Sequence, residues 1–198
     1  MNTGTAQRPL AGKPRESLKT WFRRQRFNLF PAFRGTGAKV IYIAEDLRAI
    51  RIKLPLNFRT KNIYGTLFGG AMYAATDPLY AILVKVGLGP EYIVWDKAGA
   101  IRYRKPGRSA LYAECSISEA ELASLKTRLD SESSVDLDYE MELTDADGVV
   151  HAVVHKTIYV ARKETYNLKL RQEAESRSYS AAEMAAKSME QTARPGGT

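Results

Sequence analysis

Cysteine and histidine are scarce in this sequence, and their scarcity excludes several kinds of site. Cys115 is the one cysteine among 198 residues, so the chain cannot close an internal disulfide. The two histidines, His151 and His155, lie four positions apart with no third ligand nearby, so no metal site is expected. The sequence also lacks a glycine-rich P-loop and a Ser-His-Asp candidate.

An apolar leader segment is also absent. Residues 1–17 are polar, so no secretory signal is predicted, and together with the single cysteine this favours a cytoplasmic location. The hydrophobic content of 44% and the charged content of 26% are those of a soluble globular protein. A chain of 198 residues is long enough for one domain with a sizeable core.

The net charge of +8 comes entirely from the N-terminal arm, residues 1–38, and its junction with the next segment. Residues 1–39 carry nine basic residues and one acidic residue. Residues 40–163 carry sixteen of each sign, and residues 164–198 carry five of each. Because the main domain is neutral, it is not expected to bind nucleic acid.

The arm contains one candidate helix, in residues 16–30. Residues 1–15 show no periodicity and are predicted to be disordered. In residues 16–30 the apolar side chains fall on one helical stripe, away from three arginines. Either this stripe packs on the core, or the helix makes a weak contact with a membrane surface. The stripe consists of Leu18, Trp21, Phe22 and Leu29.

Alternating polarity indicates strands throughout residues 39–163, which we assign to one domain. The clearest strand is residues 135–143, where apolar residues alternate with carboxylates, as in an antiparallel sheet with one wet face. Residues 119–134 predict a short inserted helix with three leucines on one face. Residues 164–198 are predicted to be a charged, flexible tail. The expected class is α+β, with one long helix against about six antiparallel strands.

That long helix is predicted from the apolar run of residues 62–87, which contains a single carboxylate, Asp77, in its middle, about two turns after the glycine pair. A transmembrane span is disfavoured by the glycines, by Pro78 and by Asp77. A carboxylate in apolar surroundings resists ionising and suits a general base. The alternative is a carboxylate hydrogen-bonded at a local break before Pro78, which has no backbone N–H to donate.

The start of this helix offers free backbone amides. If the helix begins near Thr66, the N–H groups of Phe68, Gly69 and Gly70 lack intrahelical acceptors in the first turn. Such amides, reinforced by the helix dipole, can stabilise a developing oxyanion. The alternative is that the glycines only allow close packing of the helix on the sheet. For Asn62, just upstream, a turn or pre-helix cap is the ordinary interpretation.

The motif N-x-x-G-T-L-F-G-G at residues 62–70, followed by Asp77, resembles the signature of hotdog-fold acyl-CoA thioesterases of the PaaI-like group. That signature reads N-x-x-G-x-x-H-G-G, with an aspartate seven residues after the second glycine. The resemblance extends over residues 38–162 and is to an uncharacterised branch of the group. It implies a hotdog fold, in which the sheet wraps around a central helix.

The resemblance further implies hydrolysis of an acyl-CoA thioester to a free acid and CoA by a homodimer or homotetramer. No cofactor is implied, because coenzyme A is part of the substrate. Gly69 would polarise the thioester carbonyl, Asp77 would act as general base or nucleophile, and Asn62 would orient the thioester or water. In the group, Asn62 and Gly69 of one subunit face the Asp77 of the other.

Two departures from the signature affect the accessory residues. Phe68 replaces a histidine that is accessory in thioesterases but essential in hotdog dehydratases, so its loss argues mainly against a dehydratase. Pro78 follows the aspartate directly. Gly70 remains an accessory candidate. Asp96 lies near a position where relatives carry a second polar residue, although an ion pair with Lys97 or another base would equally explain it.

Coenzyme A is a polyanion, so a thioesterase needs cations where the nucleotide binds. A predicted strand end and loop supplies four of them, with a solvated strand face as the alternative interpretation. A non-catalytic hotdog protein that binds acyl-CoA or lipid, associated with a membrane through its basic arm, is the competing function. A hotdog transcription factor is disfavoured by the short arm. The four cations are Arg102, Arg104, Lys105 and Arg108.

Overall fold

Six antiparallel strands form a single sheet in the computed structural model, which describes residues 16–192, with side chains described through residue 177. Numbered along the chain, the strands lie side by side in the order β1-β2-β4-β5-β6-β3. Their bounds are β1 Lys39–Ile43, β2 Ala49–Leu54, β3 Tyr92–Tyr103, β4 Leu111–Ser116, β5 Val135–Thr144 and β6 Val150–Arg162.

Strand β5 shows how the alternation positions the sheet. It pairs with β6 from Val135 opposite Val160 through to Leu143 opposite Ala152. Its apolar residues Val135, Met141 and Leu143 are buried, and the carboxylates between them are exposed. One face of the sheet is therefore wet, as predicted, and the other covers the core.

The core helix is divided in two, as α3 (Gly69–Thr76) and α4 (Leu79–Leu88). The single helix predicted over residues 62–87 is thus wrong at its start and in its middle. It begins at Gly69 because the extended residue before it donates its backbone N–H to Thr60 instead of entering a helical turn. It is interrupted at Asp77 and Pro78, since a proline nitrogen has no hydrogen to donate to the preceding turn.

The two short helices lie against the inner face of the sheet. Both contact β2 and β6, and α4 also contacts β3 and β4. This arrangement confirms the predicted α+β hotdog fold, with a divided helix in place of one long one. The predicted inserted helix is α5 (Glu119–Ser131), which contacts α4 and β5. Its buried leucines are the three expected: Leu122, Leu125 and Leu129.

The arm forms α1 (Leu18–Leu29) and α2 (Pro31–Gly35). The interpretation that its apolar stripe packs on the core is wrong, because Leu18, Phe22 and Leu29 are all more than 60% exposed. A different face docks on the domain. The Asn28 side chain accepts a hydrogen bond from the Val40 backbone N–H (2.7 Å) and donates one to the Val40 carbonyl (3.0 Å).

A last helix, α6 (Lys163–Thr192), follows β6 directly and occupies most of the predicted charged tail. Residues 193–198 of that tail, and the predicted disordered residues 1–15, lie outside the described part of the chain. Within residues 16–192, no helix combines the length and apolarity needed to cross a bilayer.

Replacing Asn28 with alanine should weaken the attachment of α1 to β1. Two hydrogen bonds are lost and the Val40 backbone groups lose their partner, so we expect the free energy of unfolding to fall by about 1–3 kcal/mol. Gln25→Ala, on the same helix, is the matched control and should change it by less than about 0.5 kcal/mol. Equal losses for both variants in denaturant titrations would show that Asn28 is not the attachment point.

Candidate active site

A buried lysine joins two carboxylates at the break between α3 and α4. The Lys156 Nζ lies 2.7 Å from Asp77 Oδ1 and 2.9 Å from Asp96 Oδ1. The lysine side chain is 2% exposed, whereas those of Asp77 and Asp96 are 48% and 30% exposed. A buried ammonium is tolerated only when it is paired, so the three residues form one electrostatic unit.

Strand register explains how these groups meet. Lys156 lies on the inward face of β6, between the buried Val154 and Ile158. Asp96 of β3 is opposite Ile158, so it shares that face and lies diagonal to the lysine. A β-bulge between Asp96 and Ala98 follows directly, and bulges redirect neighbouring side chains.

A glycine opposite the lysine makes room for this unit. Gly99 pairs with Lys156 across β3 and β6, and a Cβ there would overlap the Tyr73 hydroxyl. The Tyr73 ring lies 5.4 Å from the Lys156 ammonium, as a cation–π contact. Glycine at this position therefore lets a tyrosine from α3 and a lysine from β6 share the space above the strand.

Burial and pairing have opposite effects on the pKa values of Lys156 and Asp96. Burial acts to lower the pKa of Lys156, but hydrogen bonds to Asp77 and Asp96 outweigh it and hold that pKa above its ordinary value. Burial raises the pKa of the Asp96 carboxyl, although the Lys156 ammonium opposes that rise. Lys156 therefore stays charged, and Asp96 is harder to ionise than an exposed aspartate.

Asp77 itself differs from the isolated carboxylate expected from the sequence. Its surroundings are not wholly apolar, because one oxygen accepts a hydrogen bond from Lys156 and the group is half exposed. It also lines a cavity of about 870 Å³ between the arm and the central helices. Asp96 forms its ion pair with Lys156, and Lys97 forms one with Asp136. The alternative interpretation of Asp96 as an ion-pairing residue is therefore confirmed, with Lys156 as the partner and not Lys97.

The N-terminus of α3 carries the glycine pair. Gly69 is its first residue, so its N–H has no intrahelical acceptor. A Cβ at Gly69 would lie 2.6 Å from the Tyr103 hydroxyl oxygen, which shows how closely that tyrosine covers the backbone. Phe68, 56% exposed, places its ring over Gly70 in the same way. Two aromatic rings thus flank the free amides.

Asn62 shapes the loop before α3. Its Oδ1 accepts hydrogen bonds from the backbone N–H groups of Tyr64 and Thr66, and its Nδ2 donates to the Thr66 hydroxyl. The turn-forming interpretation of this residue is confirmed. Its side chain is engaged within its own loop.

Three of the predicted CoA-binding cations, Arg104, Lys105 and Arg108, lie in the loop after β3, called the basic loop below. Arg102 lies on β3 next to Tyr103, so strand alternation places it on the opposite face of the sheet. The Leu67 N–H donates to the Gly107 carbonyl (2.8 Å), which ties the loop after β3 to the segment before α3. All four cations are exposed, and none forms an ion pair with another described residue. The four are Arg102, Arg104, Lys105 and Arg108.

The predicted site residues thus fall into two groups at opposite ends of α3. Gly69, Asn62 and the basic loop lie at its N-terminus, whereas Asp77 and Asp96 lie at its C-terminus. Eight residues at 1.5 Å per residue separate Gly69 from Asp77 by about 12 Å along the helix. One protomer therefore does not bring the amide and the acid to the same carbonyl.

Two neighbours of these groups, Lys156 and Tyr103, are absent from the sequence-based prediction. A signal for Lys156 was available, because strand alternation places it on the same face as Val154 and Ile158. A lysine on an apolar strand face indicates a buried partner of opposite charge. Nothing in the sequence indicated that Tyr103 would lie over Gly69, since that contact depends on the path of the loop after β3.

Comparisons with known proteins agree with this geometry at the level of the fold. The sequence model of a family described as Domain of unknown function (DUF4442) matches residues 19–160. No curated protein matches the sequence significantly.

Among solved structures, the chain is similar to a Pseudomonas aeruginosa protein of unknown function named a probable thioesterase. Their TM-score is 0.65 at 17% identity, over 72% of this chain and 95% of the other. A Haemophilus influenzae thioesterase gives a TM-score of 0.56 at 14% identity, over 74% and 93% of the two chains. A mutant thioesterase from Pseudomonas aeruginosa gives 0.55 at 13% identity, over 71% and 93%. At these identities the likeness shows a shared fold.

Replacing both Asp77 and Asp96 with asparagine should leave the Lys156 ammonium buried without counter-charge. We expect the free energy of unfolding at pH 7 to fall by about 3–5 kcal/mol. Burial then lowers the pKa of Lys156 in the folded state, so the folded protein binds fewer protons than the unfolded chain. The loss of stability of the double variant relative to the parent protein should therefore become smaller as the pH rises toward about 10.

Asp136→Asn is the control for that variant, because it breaks the exposed ion pair with Lys97. It should cost less than about 1 kcal/mol, with little dependence on pH. Urea titrations at both pH values measure the two effects. The electrostatic unit described above would be contradicted if the double variant were as stable as Asp136→Asn. It would also be contradicted if the loss of stability of the double variant, relative to the parent protein, became larger at alkaline pH.

Proposed function

Since the chain belongs to the family described as Domain of unknown function (DUF4442), we propose its function from its own site: hydrolysis of an acyl-CoA thioester to a carboxylic acid and CoA. One observation carries the proposal. Asp77 is held through one oxygen by a buried ammonium, yet it remains half exposed at the wall of a large cavity. A carboxylate fixed in this way has an oriented oxygen left to meet a water molecule or a thioester carbonyl.

The proposed enzyme is a homodimer, or a homotetramer built from such dimers. In this proposal the acid comes from a second subunit, because about 12 Å separates Gly69 from Asp77 within one chain. Strand β3 supports pairing of two copies, because it lies at the edge of the sheet with β6 as its one neighbour. Most of β3 is exposed, including Trp95 at 56%, and a long unpaired edge favours pairing with another strand.

In the proposed reaction, Asp77 removes a proton from water as the water oxygen attacks the thioester carbonyl carbon. The carbonyl oxygen becomes an oxyanion that the Gly69 N–H of the partner subunit stabilises. Collapse of the intermediate breaks the carbon–sulfur bond, and the proton on Asp77 passes to the leaving thiolate. If Asp77 attacks directly, the carbon–sulfur bond breaks as an anhydride forms and CoA thiolate leaves. Water then cleaves the anhydride to the carboxylic acid and the Asp77 carboxylate, and the proton released passes to the thiolate.

The basic loop suits the nucleotide part of the substrate. Three of the cations, Arg104, Lys105 and Arg108, lie unpaired in this loop, which is bonded to Leu67 near the start of α3, where the sulfur and pantetheine of a bound thioester would emerge. Guanidinium groups bind phosphate with two parallel hydrogen bonds. We assign this loop to the 3′-phosphate and pyrophosphate of coenzyme A.

A non-catalytic acyl-CoA-binding role is the second candidate. It is favoured by the engagement of the Asn62 side chain in its own loop and by Phe68 in place of a histidine. The exposed stripe on α1 further supports a contact with a membrane surface in that role. The two candidates differ in whether thiol is released from acyl-CoA.

Asp77→Asn separates these two functions. We expect the parent protein to release thiol from acyl-CoA and the variant to lose at least about 100-fold in kcat, since a general base contributes that much or more. Binding of acyl-CoA should be retained. Asp136→Asn, on the wet face of β5, is the control and should keep full activity. Tight binding without thiol release by the parent protein would establish the binding role.

Replacing Arg104 and Lys105 with alanine tests the basic loop. We expect KM for acyl-CoA to rise about tenfold or more at low salt, with a smaller difference at high salt because the attraction is screened. KM for the matching acyl-pantetheine, which lacks the nucleotide, should not change. Lys126→Ala, an exposed lysine of α5, is the control. An equal rise in KM for acyl-CoA and for acyl-pantetheine would show that the nucleotide does not bind at the basic loop.

A further inference from the structure

The cavity beside Asp77 is built by the arm together with the central helices. Side chains from α1 and α2 form one wall, and Tyr73, Ala74 and Ile82 of α3 and α4 form the other. Its volume of about 870 Å³ lies within the roughly 300–1,000 Å³ typical of small-molecule sites. The hydrogen bonds of Asn28 to β1 keep the arm wall in place.

Most of the lining is apolar. Phe27 and Phe33 meet edge-to-face with their ring centroids 4.7 Å apart, and Phe30 extends the aromatic wall. Pro78 and Ile82 line the opposite side, next to Asp77. A wall of this kind holds an aliphatic chain well, because each methylene buried against it adds favourable transfer free energy.

Arg23 and Arg26 line the cavity, and neither forms an ion pair or side-chain hydrogen bond with another residue in the described range 16–177. Arg26 is exposed, so it lies where the cavity meets solvent. Arginine can lay its alkyl stem along an apolar chain while its charged head stays in solvent, so these residues are compatible with a hydrocarbon ligand.

We propose that this cavity binds the acyl chain of the thioester, and that the protein acts on medium- to long-chain aliphatic acyl-CoA. The inference rests on the proposed function, because it takes the thioester carbonyl to lie at Asp77. From there the chain passes Pro78 and Ile82 and ends among the phenylalanines of the arm. The arm is then part of the substrate site, and its helices set the length of chain that fits.

Chain-length dependence follows directly. Each added methylene should improve kcat/KM by up to about fourfold until the cavity is filled, the value expected from burial of one methylene. Acetyl-CoA, which leaves the cavity empty, should be a poor substrate.

Replacing Ala32 with tryptophan tests whether the acyl chain lies in this cavity. Ala32 is an exposed residue of α2 that lines the cavity, so a larger side chain can fill it without disturbing the core. We expect Ala32→Trp to lower kcat/KM for dodecanoyl-CoA at least tenfold and to leave butanoyl-CoA within about twofold. Ala123→Trp, exposed on α5 and remote from the cavity, should change neither. Ala74→Phe fills the cavity from the opposite wall and should reproduce the effect.

Binding of S-dodecyl-CoA, a thioether that cannot be hydrolysed, separates this inference from the proposed reaction. Calorimetry should show its Kd rising at least tenfold in Ala32→Trp, with the Kd of CoA itself unchanged. If that holds but the parent protein hydrolyses no acyl-CoA, the cavity assignment stands and the thioesterase proposal fails. Hydrolysis with the same chain-length profile in parent and Ala32→Trp would overturn the cavity assignment alone. Absence of S-dodecyl-CoA binding would overturn it as well.

Discussion

The charge on Lys156 is the constraint on which the rest of the site depends. An ammonium buried to 2% exposure requires anionic partners within hydrogen-bond distance, and Asp77 and Asp96 supply them from a helix and a strand. This requirement fixes where α3 ends relative to β6. It also accounts for the small residue at Gly99, since a side chain there would displace Tyr73 from the same space.

The ends of α3 divide the proposed chemistry between them. The free amide at Gly69 and the unpaired basic loop suit the carbonyl oxygen and the nucleotide, whereas Asp77 at the other end opens onto an apolar cavity. A thioester has this same sequence of parts: polyanion, carbonyl and hydrocarbon. Two antiparallel copies of such a helix bring unlike ends together, so the proposed pairing of subunits and the shape of the proposed substrate follow from one arrangement.

Local patterns predicted most of the fold but little of the site. Alternation located β5, and the leucine spacing located α5, because each depends on which face of an element is buried. The interruption at Pro78 was visible as an alternative, although the start of α3 was not, because backbone bonds to distant residues set it. The apolar stripe on α1 wrongly predicted which face of that helix packs on the domain, because the helix is attached through the polar side chain of Asn28. The ion pair between Asp77 and Lys156 joins residues 79 positions apart in the chain, so it depends on the tertiary fold and could not be predicted from a local sequence pattern.

The hydrogen bonds between Asn28 and Val40 bear on the proposed assembly. By occupying both the N–H and the carbonyl of Val40, Asn28 blocks the outer side of β1 against recruitment of another strand. In the proposed dimer, a second copy would then pair at β3, the other edge of the sheet. A sheet in which one edge strand is blocked and one is free to pair can form a dimer and no larger assembly through strand pairing. A sheet with two free edge strands could instead add copies at both edges and form a fibre.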